Sequence, residues 1–144
     1  MNTTSLPCLC ASVRRAARAL TQLYDAALGP AGLRVTQFTV LQALALAGEV
    51  SQKELAHLLV MDSTTLTRTL RLLAAEGWLA ERPGADRRER RLRLSVAGRR
   101  RLARATPHWQ RVQSRLRSRF GSARWQELLA TATQLTDGVT SVGL

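Results

Sequence analysis

The apolar positions of the chain repeat with a helical period at first, change to a period of two, and then return to a helical period. From a start at Ser5-Leu6-Pro7, Leu9, Val13, Ala16, Ala17, Leu20, Tyr24, Ala27 and Leu28 recur at steps of three and four, one face of a helix. Proline is tolerated in the first turn, where its missing N–H would have no partner. Gly29-Pro30 and Gly32 end this segment. A second helix is expected from Val35 to Ala47, with Phe38, Leu41, Leu44 and Ala45 on one face and Gly48 as its stop. Ser51 followed by Glu54 has the form of a capping box, opening a short helix with Leu55, Leu58 and Leu59 on its apolar side. Asp62 or Ser63 can cap the next helix, which runs to about Glu76 and stops at Gly77. Its inner stripe is Leu66, Leu70, Leu73 and Ala74; its other face carries Ser63, Thr64, Thr65, Thr67, Arg68 and Arg71. Two short helices joined by three or four residues form a helix-turn-helix pattern.

Leu79–Arg82 reads as one short strand, and Leu92, Leu94 and Val96 alternate with Arg91, Arg93 and Ser95 in a second. Pro83-Gly84-Ala85-Asp86 supplies turn chemistry between them, so the segment reads as a β-hairpin. After Gly98, Leu102, Ala105, Trp109, Val112, Leu116 and Phe120 form a long helical seam flanked by arginines, with Pro107 expected to bend it. Gly121-Ser122 breaks the run, and a last helix carries Trp125, Leu128, Leu129, Ala132, Leu135 and Val139. The fold class is therefore mainly α with a small β-hairpin.

Charge adds a partner to this outline. The chain of 144 residues has 22 basic and 10 acidic side chains, a net charge of +12, and Lys53 is its one lysine. Five arginines fall between Arg87 and Arg93, at the hairpin. Arginine forks match phosphate oxygens and guanine edges, which favours nucleic acid, although a GC-rich genome also raises arginine use. A helix exposing short hydroxyls and arginines can enter the major groove, while an arginine-tipped hairpin can reach the minor groove beside it. No stretch approaches the ~20 apolar residues of a membrane span, and no signal peptide is evident, so the expected place is the cytoplasm and no membrane partner is expected. No P-loop, nucleophile elbow or catalytic triad is present, and an enzyme is not expected.

The order of elements is that of a winged helix with dimerising extensions, and the residues resemble the multiple-antibiotic-resistance regulator (MarR) family of transcription factors. Asp86-Arg87-Arg88 followed by Leu94-Ser95-Val96-Ala97-Gly98 fits that family's wing pattern. Leu33 to Leu41 resembles its second helix, Met61 to Arg68 its recognition helix, and Glu76-Gly77-Trp78-Leu79 its lead into the wing. The likeness runs from about residue 10 to 140. It implies a single domain over residues 1–144, with a DNA-binding lobe at about 35–96 and dimerisation helices at about 7–28 and 97–141. It also implies a homodimeric repressor on palindromic double-stranded DNA, released by a small molecule or an oxidant. The ligand crevice of relatives would map onto Tyr24, Phe38, His108 and Trp109, although Tyr24 and Trp109 also lie on apolar stripes that suit core or interface packing.

Site roles follow from motif and charge together. Ser63, Thr64, Thr65, Thr67 and Arg68 are the expected recognition-helix contacts, with Arg71 either a contact or a plain surface residue. Arg88 is the expected minor-groove residue, Arg87 and Arg90 are its phosphate partners, and Asp86 orients an arginine. Cys8 and Cys10 have two readings: reactive thiols that sense an oxidant or a soft metal, or small apolar fillers. Residues two apart on a helix face opposite ways, so these thiols should not pair with each other while the helix persists. His57 and His108 lack zinc spacing; no metal site and no cofactor are expected. A basic RNA-binding or assembly protein on a winged helix is the reading from a different class.

Overall fold

The computed structural model describes residues 7–142. Helix α1 spans Leu9–Leu28, with Cys8 in extended backbone conformation at its N-cap. The helix thus begins after Pro7; Ser5 and Leu6 lie outside the described residues. A single 3-10 turn, Gly29–Ala31, follows and is closed by Gly32 at φ 71°, a left-handed conformation that costs glycine least. Helix α2 spans Val35–Ala47. Asp25 reaches from α1 to accept the Val35 N–H through Oδ1 at 2.7 Å, fixing where α2 starts.

Phe38, Val40, Leu41, Ala43 and Leu44 of α2 are all buried, so this helix is covered on more than one side. A one-sided pattern does not describe such a helix. That is why Ala45, expected on the inner face, is exposed while Val40 and Ala43 are not. Leu28, Leu33, Leu55, Leu66, Leu73, Trp78, Leu92 and Leu94 complete the core around it.

Strand β1 (Val50–Ser51) leads into α3 (Gln52–Leu59), and both halves of the expected capping box are present: Glu54 N–H donates to Ser51 Oγ at 3.1 Å, and Ser51 N–H donates to Glu54 Oε2 at 2.7 Å. Leu55 is buried, but Leu58 is exposed, because only the side of this two-turn helix facing the core is covered. Val60–Asp62 form the turn to α4 (Ser63–Ala75). In α4, Leu66, Thr69, Leu70 and Leu73 are buried, while Ala74 is exposed. Thr69 fits inside because its hydroxyl donates to the Thr65 carbonyl at 3.0 Å, leaving only its methyl to be packed.

Val60 adopts φ 49°, ψ 46° as the C-cap of α3. For a β-branched residue this left-handed conformation is costly, about 1–2 kcal/mol, which glycine would avoid at a smaller entropic cost. Val60 is also exposed, so little packing is lost on its removal. Val60→Gly is therefore expected to raise stability by about 0.5–1 kcal/mol. An unchanged or lowered denaturation midpoint would show that the turn carries no such strain.

Strands β2 (Leu79–Pro83) and β3 (Arg90–Leu94) form the hairpin, and β1 pairs with the other edge of β3, giving the antiparallel order β1-β3-β2. The register places Val50 and Glu81 on either side of Leu92. The loop between the strands is longer than expected and later in the chain. Gly84 N–H donates to the Glu89 carbonyl at 2.7 Å, and the tight turn itself covers Asp86 to Glu89. Val96, expected in the strand, is the exposed first residue of helix α5 (Val96–Phe120). Ser95 makes the switch: its Oγ accepts the Gly98 N–H at 3.0 Å in the manner of a helix cap and donates to the Gly77 carbonyl at 2.6 Å. Helix α5 continues through Pro107, and α6 spans Ser122–Ser141.

The chain divides into two compact units, one ending at Trp109 and one beginning at Gln110, with α5 running through the division. The core just described belongs to the first. In the second, α6 buries none of its residues, and Leu128, Leu129 and Val139 along its seam are exposed. In the first, Leu9, Val13 and Leu20 of α1 are exposed as well. Among the described residues, no helix is long and apolar enough to cross a membrane.

Candidate nucleic-acid interface

Burial of Leu66, Leu70 and Leu73 pins α4 by one side and leaves Ser63, Thr64, Thr65, Arg68 and Arg71 outside the core on the rest of its surface. Its N-cap is Asp62, whose Oδ2 accepts the Thr65 N–H at 2.9 Å and whose Oδ1 accepts the Thr65 hydroxyl at 2.6 Å. These bonds, the hydroxyl's first, hold the Asp62 carboxyl below the usual carboxylate range. Thr65 therefore has its hydroxyl proton engaged with the cap. Thr67 is half-buried, and its Oγ1 accepts Gln52 Nε2 at 2.8 Å, tying the first residue of α3 to α4. Gln52 had no signal of its own in the sequence beyond lying next to the capping serine.

At the wing tip, Asp86 acts on the backbone. Its Oδ1 accepts the Arg88 N–H at 3.1 Å and its carbonyl accepts the Glu89 N–H at 2.9 Å, so the aspartate shapes the turn that carries Arg87 and Arg88. Both arginines are exposed, and neither forms an ion pair among the described residues. Arg90 lies 3.7 Å from Glu81 on the neighbouring strand, which offsets part of its charge.

Arg91 differs from the other arginines of the run. It sits on the central strand, half-buried, and its guanidinium faces Glu49, Glu54 and Glu89. Arg82, directly opposite on β2, donates from Nε to Glu49 at 2.9 Å. In the sequence Arg91 was one of five neighbouring arginines, and only the fold separates it from them.

The exit of the wing is clamped onto the exit of α4. Ser95 N–H donates to the Trp78 carbonyl at 3.0 Å, and Gly98 passes so close that a Cβ there would stand 2.1 Å from the same oxygen. From α5, Arg101 donates to the Ala31 carbonyl at 2.8 Å and lies 4.8 Å over the Trp78 ring.

Of the residues mapped to a ligand crevice, Phe38 is fully buried and stacks on Trp109 with ring centroids 5.8 Å apart. Tyr24 and Trp109 are half-buried against the core, and burial pushes the Tyr24 phenol upward in pKa. His108 is half-buried one residue before Trp109. Cys8 and Cys10 are free and exposed at the start of α1. Among the described residues, no group of three His, Cys, Asp or Glu is placed to hold a metal ion.

The MarR family model matches residues 31–89, from the turn before α2 to the wing tip. The chain is similar to the uncharacterised HTH-type transcriptional regulator YwoH of Bacillus subtilis, with 35% identity over 78 residues. That match takes in 54% of this chain and 57% of YwoH, so the chain spans a little over half the length of this curated relative. Among solved structures, it is similar to the M. tuberculosis transcriptional regulator MosR in complex with DNA. There the identity is 36%, the TM-score 0.86, and the coverage 95% of this chain and 99% of that one. It is similar also to the transcriptional repressor CouR bound to a 23-mer DNA duplex, with 26% identity, a TM-score of 0.81, and coverage of 90% and 92%. With 36% identity to MosR over 95% of this chain, and with the helix-turn-helix and β-hairpin in place, the chain belongs to the MarR family of transcriptional regulators.

Proposed function

We propose that the protein binds palindromic double-stranded DNA as a homodimer, represses transcription from that site, and is released by a small-molecule effector. The observation that carries this reading is one lobe with two cationic, hydrogen-bonding projections: the exposed face of α4 and the arginine tip of the β2–β3 hairpin. In this reading Ser63, Thr64, Thr65, Thr67 and Arg68 meet base edges and phosphates of the major groove, with Arg71 at the rim. Arg88 enters the minor groove, Arg87 and Arg90 hold phosphates, and Asp86 keeps the tip in shape. MosR and CouR, both solved on DNA, support it, and CouR is a transcriptional repressor.

A second copy accounts for the exposed apolar residues of α1 and α6, each of which leaves a helical seam in water. On this reading the lobe is residues 35–96, flanked by dimerisation helices at 7–28 and 97–141. Two chains carry twice +12, or +24, so affinity falls steeply with salt as counterions are released. The effector region is the aromatic group Tyr24, Phe38 and Trp109 with His108. Selection of binding sites from a random duplex pool tests the reading. A palindrome bound by two chains per duplex supports it; equal binding to structured RNA would favour an RNA-binding or assembly role instead.

The exposure of both thiols favours a second reading, in which Cys8 and Cys10 make the release redox- or soft-metal-dependent. Peroxide is then expected to free DNA from the wild type and not from Cys8→Ser/Cys10→Ser, read by electrophoretic mobility shift. Release from both proteins would make the cysteines bystanders.

A further inference from the structure

We propose that Arg91 is a positioning residue for DNA binding, whose guanidinium locks the wing to the helix-turn-helix by bridging Glu49, Glu54 and Glu89. This rests on the reading of the hairpin as a DNA-binding wing. The bridge uses every edge of the fork. Nη1 donates to Glu54 Oε2 at 2.9 Å and to Glu89 Oε1 at 3.0 Å, Nη2 donates to the Glu49 carbonyl at 2.9 Å, and Nε lies 3.7 Å from Glu49 Oε1. The three partners belong to three different parts of the site. Glu49 precedes β1, Glu54 caps α3, and Glu89 closes the wing-tip turn.

Glu54 Oε2 is the shared atom. It accepts the Ser51 N–H of the α3 capping box and the Arg91 Nη1–H, so the start of the helix-turn-helix and the central strand of the wing hold the same oxygen. Glu49 also accepts from Arg82, which offsets the like-charge repulsion between the directly opposed Arg82 and Arg91. Hydrogen bonding from Arg82 holds the Glu49 carboxyl below its usual range, and the Ser51 N–H followed by Arg91 does so for Glu54. The Arg91 side chain is only 24% exposed, against 72% for Arg90, so its charge is turned inward where that of Arg90 is offered outward. A lysine could hold one carboxylate here but not three from one planar fork.

Electrostatics and positioning predict opposite signs for one substitution. Glu89→Gln removes a negative charge beside DNA, so charge alone would tighten binding. If Arg91 positions the wing through Glu89, binding weakens instead. Operator affinity is measured across a salt series for wild type, Glu89→Gln, Arg91→Lys and Arg88→Ala, with thermal melting confirming that each is folded. The expected result is a several-fold weakening in Glu89→Gln and about tenfold in Arg91→Lys, with the salt slope of Arg91→Lys unchanged. Because lysine keeps the charge, an Arg91 that merely neutralised a phosphate would leave affinity as well as slope near wild type in Arg91→Lys. In the Arg88→Ala background, Arg91→Lys should add little, because the wing it aims no longer grips. Tighter binding by Glu89→Gln, or wild-type affinity in Arg91→Lys, overturns the inference while leaving the wing reading intact. An inert Arg88→Ala overturns the wing reading and this inference with it.

Discussion

Arg88→Ala is expected to weaken operator binding by about 1–3 kcal/mol, roughly five- to 150-fold, while the protein keeps its fold and its state of assembly. Asp86 holds the Arg88 backbone at the apex of the Asp86–Glu89 turn, and the side chain is exposed to solvent, with no ion-pair partner among the described residues. Its removal therefore costs no internal salt bridge there. A minor groove concentrates negative potential, so a guanidinium there contributes more than one at an open phosphate. The loss should be largest for sites whose flanks carry narrow, A·T-rich minor grooves. Fluorescence anisotropy at moderate salt reads the affinity, and light scattering reads the state of assembly. Unchanged affinity would overturn the reading of the hairpin as a DNA-binding wing.

Gly98→Ala carries the largest expected loss of stability. The new Cβ would lie 2.1 Å from the Trp78 carbonyl oxygen and 3.0 Å from its carbon, so backbone must move on one side or the other. That oxygen already accepts the Ser95 N–H, and Ser95 Oγ bridges Gly77 to Gly98. Moving either segment breaks the clamp where β3 leaves the sheet and α5 begins. Overpacking of this kind costs about 3 kcal/mol, and part of the loss should appear as weaker DNA binding because the wing is anchored there. A chemical denaturation midpoint within error of wild type would show that the two backbones separate freely.

Much of this was legible because local chemistry and fold agree. Ser51 and Glu54 announce α3, Asp62 announces α4, and Gly32 and Gly77 end segments by taking positive φ. The Leu92/Leu94 alternation marked the inward face of β3, and both are buried. What was missed follows from contacts that no local pattern encodes. β1 is two residues long and exists only through pairing with Leu92 and Arg91. Ala45 and Ala74 obey the helical period yet are exposed, since alanine suits either environment and the core ends short of them. Val96 continued the alternation by accident of composition, and Ser95 with Gly98 decided for a helix. At the site, the arginine run pointed to the wing but not to its division of labour. Among the described residues Arg87 and Arg88 form no ion pair, Arg90 is shared with Glu81, and Arg91 is committed to three glutamates 2, 37 and 42 positions away.

A two-fold assembly of the chain is expected to bind double-stranded DNA sequence-specifically. Sequencing genomic fragments retained by the purified full chain, with its own upstream region among them, tests it most directly. The predicted result is enrichment of a short set of fragments sharing a palindrome, each bound by two chains and lost from Arg88→Ala at moderate salt. Retention of fragments in proportion to length alone, with no shared motif, would contradict it.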